Sequence, residues 1–527
     1  MSDVVNRAMS SAAAIEWARS IAPELTAGLA LAHGDAKSVA APWTGDTLHD
    51  LRHCTVQDVD AAESAARFAQ REWSRTSFAE RRSILLRAHS LLLERRRELI
   101  DLVQVETGKN RASAFEEVFA IAQAMRHTAV TVERVLSPRF RRSSVPGVVR
   151  AMVDHEPKGL VSVVTPWNYP VALAAMDVLP ALAAGNAVLQ KIDDQTVLSL
   201  MSLRRMLLDA GLPAALWQVV TGPGDPVGNA VVDAGDHVSF TGSTATGTRI
   251  AERLAPRLVS ASLELGGKNP MIVLDDLDPD AAAALAFPAC FGSAGQLCVS
   301  IERIYVLRPV AEAFIAAFAA RIRSARIGPG LDYSIDMGSL TNRSQLDRVQ
   351  AHVGDAITKG ATVVAGGNAR PELGPYFHEP TLLTGVSPDM NCFAEETFGP
   401  VVAIHVVESV EEAIAAANDS QYGLNAAVLT GSVARGRAVA RRIEAGSVNI
   451  NDGYRASFAS IGAPMGGWKR SGMGRRNGPE GILRFVESRT IANPTGILPL
   501  PVDGESAARM EPVYLAALRV LAALHFP

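Results

Sequence analysis

From Leu160 onward the chain alternates short β-rich runs with helical stretches and glycine-bearing turns, and this alternation restricts the fold more than any other feature. A first series of runs covers residues 160–164, 187–190, 217–220 and 238–240. A second follows Glu264, at 271–274, 304–307, 362–364, 401–407, 426–429 and 448–450. Strands separated by helices predict parallel sheets wrapped on both faces, an α/β fold. One hydrophobic core rarely grows beyond about 250–300 residues, so a chain of 527 residues needs at least two packed units. No Ser/Gly-rich linker separates the two series, so the units are expected to share a broad interface, where ligand clefts form. Upstream, Val59, Ala62, Ala66, Ala69 and Trp73 recur at intervals of three and four, the buried face of a helix that follows Asp58 as N-cap. A second helix is expected over 78–105, and the first residues are poorly patterned.

Hydrophobic residues are 48% of the chain and charged residues 20%, the balance of an ordinary folded protein. A net charge of -4 supplies no cationic field for a phosphate backbone, so no nucleic-acid partner is expected. The run Arg139-Phe140-Arg141-Arg142 reads as a solvated connector. Four cysteines, Cys54, Cys290, Cys298 and Cys392, are too sparse and irregular for a disulfide framework, and no CxxC or His-Cys cluster predicts a metal. A reducing cytoplasm fits best. The start, with Asp3, has no continuous apolar signal region, and no stretch reaches the ~18 apolar residues of a membrane span. The apolar tail 514–526 is expected to be helical and to cover a protein neighbour or lie on a membrane surface.

Three segments carry candidate chemistry. Phe240-Thr241-Gly242-Ser243-Thr244-Ala245-Thr246-Gly247 runs from a strand into a helix, where a tight turn and free helix amides suit an anion such as a dinucleotide pyrophosphate. Taken alone, such a turn is as often ligand-free. Leu263-Glu264-Leu265-Gly266-Gly267-Lys268-Asn269-Pro270 sets a carboxylate before a flexible glycine pair, fit to reach a cleft and activate water, or merely to cap a helix. Phe291-Gly292-Ser293-Ala294-Gly295-Gln296-Leu297-Cys298 brings backbone close to a ligand and then presents a thiol, whose thiolate is a nucleophile. Cys54, Cys290 and Cys392 read as small core residues.

Together with Pro166-Trp167-Asn168-Tyr169-Pro170, Glu395-Glu396-Thr397-Phe398-Gly399-Pro400 and Pro464-Met465-Gly466-Gly467-Trp468-Lys469-Arg470-Ser471-Gly472, these segments resemble the aldehyde dehydrogenase superfamily over about residues 40–495. The resemblance implies that Cys298 attacks an aldehyde, that the Asn168 amide and the Cys298 N–H hold the oxyanion, and that Glu264 deprotonates the water that hydrolyses a thioester. It implies NAD or NADP as cofactor. Lys191, Asp193 and Asp194 would meet the adenosine ribose, Gly242 and Ser243 the pyrophosphate, and Glu396 and Phe398 the nicotinamide ribose; Thr165, Pro166, Trp167, Gly224 and Leu265 would line the same site. Two aspartates at 193 and 194, where the family more often has one Glu, should repel a 2′-phosphate and tilt the choice toward NAD.

The text around Cys298 and Asn449-Ile450-Asn451-Asp452-Gly453-Tyr454 is most similar to a succinate-semialdehyde dehydrogenase branch. Met176 and Gly292 stand where well-known members have carboxylate-binding arginines, and Arg455 is the expected substitute, with Tyr169 and Phe458 as further substrate contacts. An apolar or aromatic aldehyde is the alternative substrate, CoA acylation a rival reaction, and a non-catalytic binding protein a rival class. Asp177 stands where many relatives have a lysine near the proton route. The family fold implies a Rossmann-type cofactor domain (1–138 and 158–265), an α/β catalytic domain (266–484), a small β oligomerisation extension (139–157 and 485–498) and a tail (499–527), assembled as a homodimer or homotetramer.

Overall fold

The computed structural model describes residues 9–30 and 32–525, so Asp3 and Phe526 lie outside the described residues. The first series of runs builds one six-stranded sheet, ordered Gly472–Met473, Ser260–Glu264, His237–Thr241, Leu160–Val164, Ala187–Lys191, Trp217–Val220. The last five strands are mutually parallel. The strand that comes first in sequence is central, so connections leave it in opposite directions, and the carboxyl ends of Leu160–Val164 and His237–Thr241 flank the crevice that such a reversal opens. Leu160, Val161 and Val163 are fully buried, as expected of a strand covered on both faces, which explains its unbroken apolar run.

The second series forms a seven-stranded sheet, ordered Thr362–Ala365, Thr381–Thr384, Val401–Val407, Ile301–Leu307, Asn269–Val273, Asn425–Leu429, Ser447–Ile450. All its pairings are parallel except that of Thr362–Ala365. Its core is separate from that of the first sheet and includes Phe291, Phe314 and Phe318. A third, antiparallel sheet joins Arg139–Arg141, Val149–Pro157 and Val486–Pro494. Val486–Pro494 lies at its edge, with Glu487 to Pro494 exposed.

Several local expectations change. The helix Val56–Trp73 is capped by Thr55, whose hydroxyl accepts from the Asp58 N–H while Asp58 accepts from the Thr55 N–H; Asp58 is the reciprocal partner rather than the cap. The helix expected over 78–105 is two, Phe78–Glu94 and Arg96–Thr107. Arg95 leaves helical geometry between them and pairs with Asp209 at 2.5 Å. The Arg139–Arg141 run is a strand with all three residues exposed, paired to Val149–Pro157 rather than a free connector. A helix, Ser11–Thr26, buries Ala14, Ile15, Ala18, Ala22 and Leu25 in the unpatterned start. The tail helix Gly504–Ala523 has no buried residue, so within this chain it covers nothing.

Gly472–Met473, expected in the catalytic half, instead pairs antiparallel with Leu263 and Glu264. Gly472 has φ of +142°, and a Cβ there would sit 2.1 Å from the Leu263 carbonyl oxygen, so only glycine lets this strand approach. Gly472→Ala is therefore expected to lower the melting temperature by about 3 °C or more. Gly354→Ala, in the open helix position of Arg343–Thr358, should leave it unchanged or raise it. Calorimetry of both variants checks the contrast.

Candidate active site

The nucleophile loop begins where the helix Pro279–Phe291 stops at Gly292. Ser293, Ala294 and Gly295 then take φ of 52°, 55° and 71°, three successive left-handed residues. Each non-glycine in that conformation costs roughly 1–2 kcal/mol, so the surroundings must impose it. The Ser293 N–H donates to the Ser113 hydroxyl at 3.1 Å, and the Gln296 side-chain oxygen accepts from the Thr341 N–H at 3.0 Å. A Cβ on Gly295 would stand 2.2 Å from the Gly399 oxygen. Beyond the turn, the Asn269 amide donates to the carbonyls of Cys298 (2.8 Å) and Ser300 (2.7 Å), and Asn425 donates to Val299 and Gly453 (2.9 Å each). Two amide side chains thus fix the peptide that carries the sulfur.

Asn168 follows the central strand of the cofactor sheet. Its carbonyl accepts from the Lys109 ammonium at 2.6 Å, and that ammonium also pairs with Glu117 at 2.7 Å, both side chains being buried. Glu117 in turn accepts from the N–H groups of Val171 and Ala172, which open the helix Pro170–Ala183. The peptide of Asn168 is therefore held from two sides, and its amide nitrogen lies 3.0 Å from the Gln296 oxygen, two residues before Cys298. Glu264 ends the strand Ser260–Glu264, is buried, and its Oε1 has no partner among the described residues.

These side chains meet. A cleft of about 220 Å³ is lined by Asn168, Glu264 and Cys298 together with Gly242, Glu396 and Phe398. Pro166, Trp167, Ser243 and Leu265 also face it, and so does Arg348, which sequence reasoning did not single out. Trp167 meets Phe398 edge to face at 5.7 Å. Cys298 is partly buried while Cys54, Cys290 and Cys392 are fully buried, so one thiol alone of the four reaches the cleft. Burial pushes that thiol up to about 12, with the carboxylates of Glu396 and Glu264 adding to the effect and Arg476 opposing it. Glu264 is pushed up to about 7 by burial and Glu396 to about 8, so all three groups are shifted toward their neutral forms.

A single carboxylate links the three motifs. Glu302, buried on the strand after Cys298, pairs with Lys268 of the Glu264 segment at 2.5 Å and accepts from the N–H groups of Thr397 (2.9 Å) and Phe398 (2.9 Å). Glu396 meanwhile accepts from the Gly267 N–H at 2.9 Å, and a Cβ on Gly266 would lie 2.5 Å from its other oxygen.

A groove of about 710 Å³ continues from Thr165, Pro166 and Trp167 over Gly242 and Ser243 to Lys191, Asp193 and Gly224. Gly242 permits the turn, since a Cβ there would strike the Phe240 ring at 2.5 Å, and no atom lies within 4 Å of a Cβ on Gly224. An elongated crevice ending at a strand–helix turn fits a dinucleotide. Asp194 does not line it: its carboxylate turns to His53 at 2.8 Å and it opens the short 3-10 turn that Asp193 caps. Arg249 and Arg253, not anticipated, do line it. On the other side a mouth of about 560 Å³ is bordered by Phe115, Phe119, Phe287, Phe458, Arg321 and Arg455. Arg455 pairs with Glu116 at 3.3 Å, and Tyr169 lies buried beneath the Lys109 ammonium, 3.7 Å from its ring centre. A Cβ on Gly292 would meet the Tyr454 hydroxyl at 2.9 Å, so the phenol occupies the space a larger residue would take. Met176 is buried. Among the described residues no group of acids, histidines and cysteines could hold a metal, and no helix is long and apolar enough to cross a membrane.

Comparison with known proteins agrees with this geometry. The sequence profile of the aldehyde dehydrogenase family matches residues 31–491. A protein of Mycolicibacterium smegmatis, provisionally named an NADP(+)-linked succinate-semialdehyde dehydrogenase, is 49% identical over 87% of this chain and 88% of its own. The betaine aldehyde dehydrogenase of Brucella anthropi is 36% identical over 87% and 94%. Among solved structures, an NADP-dependent enzyme of E. coli superposes with a TM-score of 0.85 at 33% identity, covering 90% of this chain and 99% of that one. The NAD+ complex of an aldehyde dehydrogenase from Bacillus cereus superposes at 0.83 and 33%, covering 87% and 93%.

With its thiol held up to about 12, Cys298 is expected to react slowly with iodoacetamide at pH 7.5 in the free protein, and about tenfold faster for each unit of pH up to 10. Mass spectrometry of the alkylated peptide against time measures it; a fast, pH-independent rate would contradict the electrostatic reading.

Proposed function

The chain belongs to the aldehyde dehydrogenase family, and on that premise we propose that it oxidises succinate semialdehyde to the dicarboxylic acid with Cys298 as nucleophile. The activity of the family is the NAD(P)-dependent oxidation of an aldehyde, and the observation that carries the assignment here is the convergence of Cys298, Asn168 and Glu264 in one cleft. The thiol is neutral at rest, so its proton must leave as the sulfur bonds to the aldehyde carbon. Glu264, whose Oε1 has no partner among the described residues and which is ionised above about pH 7, is the base we assign to take it. The resulting oxyanion is met by the Asn168 amide and the Cys298 N–H, on residues whose backbone carbonyls are held by Lys109 and by Asn269. The nicotinamide cofactor, when bound, supplies the acceptor for the hydride that leaves that carbon. Cys298 then carries a thioester; once Glu264 has passed the first proton to solvent, it removes a proton from the water that cleaves the thioester and returns that proton to the departing sulfur, which releases the acid and the thiol. A hydrolytic base in the cleft favours this course over acyl transfer to CoA and over a protein without turnover.

The succinate semialdehyde reading is supported by the similar mycobacterial-type protein and by two guanidinium groups, Arg455 and Arg321, at the mouth. Glu116 offsets part of the Arg455 charge, though its own burial holds that carboxyl toward the neutral acid. The four phenylalanines of the same mouth, with Phe115 stacked on Phe119 at 5.9 Å, favour a second reading, an apolar or aromatic aldehyde. For the cofactor, Lys191 and Asp193 face the groove and Asp194 does not, so one aspartate rather than two opposes a 2′-phosphate. The choice between NAD and NADP then falls on Asp193. The exposed edge of Val486–Pro494 supports assembly of a homodimer or homotetramer through strand pairing, and four unpaired cysteines support a reducing, cytoplasmic setting.

NAD(P)H absorbance over a panel of aldehydes tests these readings together. Cys298→Ala is expected to abolish reduction, and Glu264→Gln to lower turnover by about 10²-fold or more. Arg455→Ala should raise KM for succinate semialdehyde about tenfold and leave that for a neutral aldehyde unchanged; equal effects on both would favour the aromatic reading. Asp193→Ser is expected to improve kcat/KM for NADP relative to NAD by about tenfold, measured with each cofactor at saturating aldehyde.

A further inference from the structure

Glu264 is not the only ionisable group buried behind the cleft. Arg476 is 1% exposed and Asp177 is 0% exposed. The guanidinium of Arg476 grips Asp177 through two nitrogens, at 3.0 and 2.5 Å, and one of them also donates to the Thr241 hydroxyl at 2.5 Å. Thr241 is the residue in register with Glu264 on the neighbouring strand, and Arg476 lies four residues after Gly472, whose backbone pairs with Glu264 from the other side. Arg484 donates to the second face of Asp177 at 2.7 Å, and its Nη1 is buried with no partner among the described residues.

The charges do not cancel within this cluster. Two guanidinium groups share one aspartate, which leaves an excess of one positive charge in a region largely closed to water. Buried charge of that kind requires a counter-ion nearby. Among the charged groups near Glu264 are Arg476, Arg475, Arg484 and Asp177, with the Cys298 sulfur and Glu396 across the cleft, and its carboxylate is an anion within reach of that excess charge.

We propose that Arg476, whose charge Asp177 only partly offsets, is a positioning residue that eases ionisation of Glu264, so that this guanidinium sets the lowest pH at which the enzyme can release its acyl group. An arginine cannot itself exchange the proton, since it stays charged throughout the working range. It acts on the carboxylate through space, opposing the burial that pushes Glu264 up to about 7. The proposal rests on Glu264 being the hydrolytic base.

Removing a neighbouring cation disfavours the ionised carboxylate, so in Arg476→Gln the acid limb of turnover should move to higher pH by about one unit. That shift makes turnover at pH 6.5 about tenfold lower than wild type while turnover at pH 9 stays within about twofold. Arg476→Lys should restore most of the limb, and Asp177→Asn, which leaves both guanidinium groups facing Glu264, should move it downward. Hydrolysis of p-nitrophenyl acetate, which acylates and deacylates Cys298 without nicotinamide, is followed alongside aldehyde oxidation for each variant. An acid limb that stays in place, with turnover reduced equally at every pH, would overturn the proposal. Should Arg476→Gln fail to fold, the Asp177→Asn and Arg476→Lys limbs decide it. A wild type active toward no aldehyde, or a Glu264→Gln enzyme of unchanged turnover, would instead defeat the underlying reading.

Discussion

The carboxylate of Glu302 is the interaction on which the site most depends. It stands four residues after Cys298 and binds, from one buried point, the ammonium of Lys268 and the amides of Thr397 and Phe398. Each partner belongs to a different motif: Lys268 follows Glu264 by four residues, and Thr397 follows Glu396 directly. A buried ion pair contributes little net stability against hydrophobic packing, but leaving one member unpaired costs about 3–5 kcal/mol. Its value here is geometric, because it forces three segments distant in the chain to share one register around the sulfur.

A second tier of fixed amides acts on the backbone. Asn269 and Asn425 hold the carbonyls of the nucleophile and of the residue after it, and Lys109 holds that of Asn168. The left-handed turn at Ser293 and Ala294 persists despite its steric cost because Ser113 and Thr341 anchor its two ends. The donors that must meet developing charge therefore need not rearrange when it appears. The ionisable groups of the cleft follow the opposite logic. Burial holds the thiol of Cys298 and the carboxyls of Glu264 and Glu396 toward neutrality, so reactivity depends on charge placed beside them.

Much of the fold was legible because its strands are buried on both faces. Continuous apolar runs bounded by glycine turns mark them, and each of the ten runs coincides with a strand of the two large sheets, one of them overrunning its strand by a single residue. Thr381–Thr384 escaped notice because Thr residues at both ends hide a short run, and Gly472–Met473 because its pairing depends on close backbone approach rather than on side chains. The helix Ser11–Thr26 buries mostly alanine, too weak a pattern to stand out. The cleft residues were legible through their motifs, but their supports were not. Lys109 acts 59 residues away from Asn168, and Asp194, adjacent to Asp193, turns the other way because His53 offers it a partner.

What the sequence determined on its own was the alternation of strand and helix, the need for at least two packed units, and the set of chemical groups available: one glycine-flanked thiol, one carboxylate before a glycine pair, one amide after a strand. These follow from periodicity and local composition, which are properties of neighbours along the chain. Only the tertiary structure decided which charges face one another. Asp177 reads in sequence as an acid where many relatives have a lysine, and the fold surrounds it with Arg476 and Arg484; Arg455 reads as a partner for a substrate carboxylate, and the fold sets Glu116 against it. Coulombic and desolvation energies depend on separation in space and exclusion of water, and neither quantity is encoded in the spacing of residues along a chain.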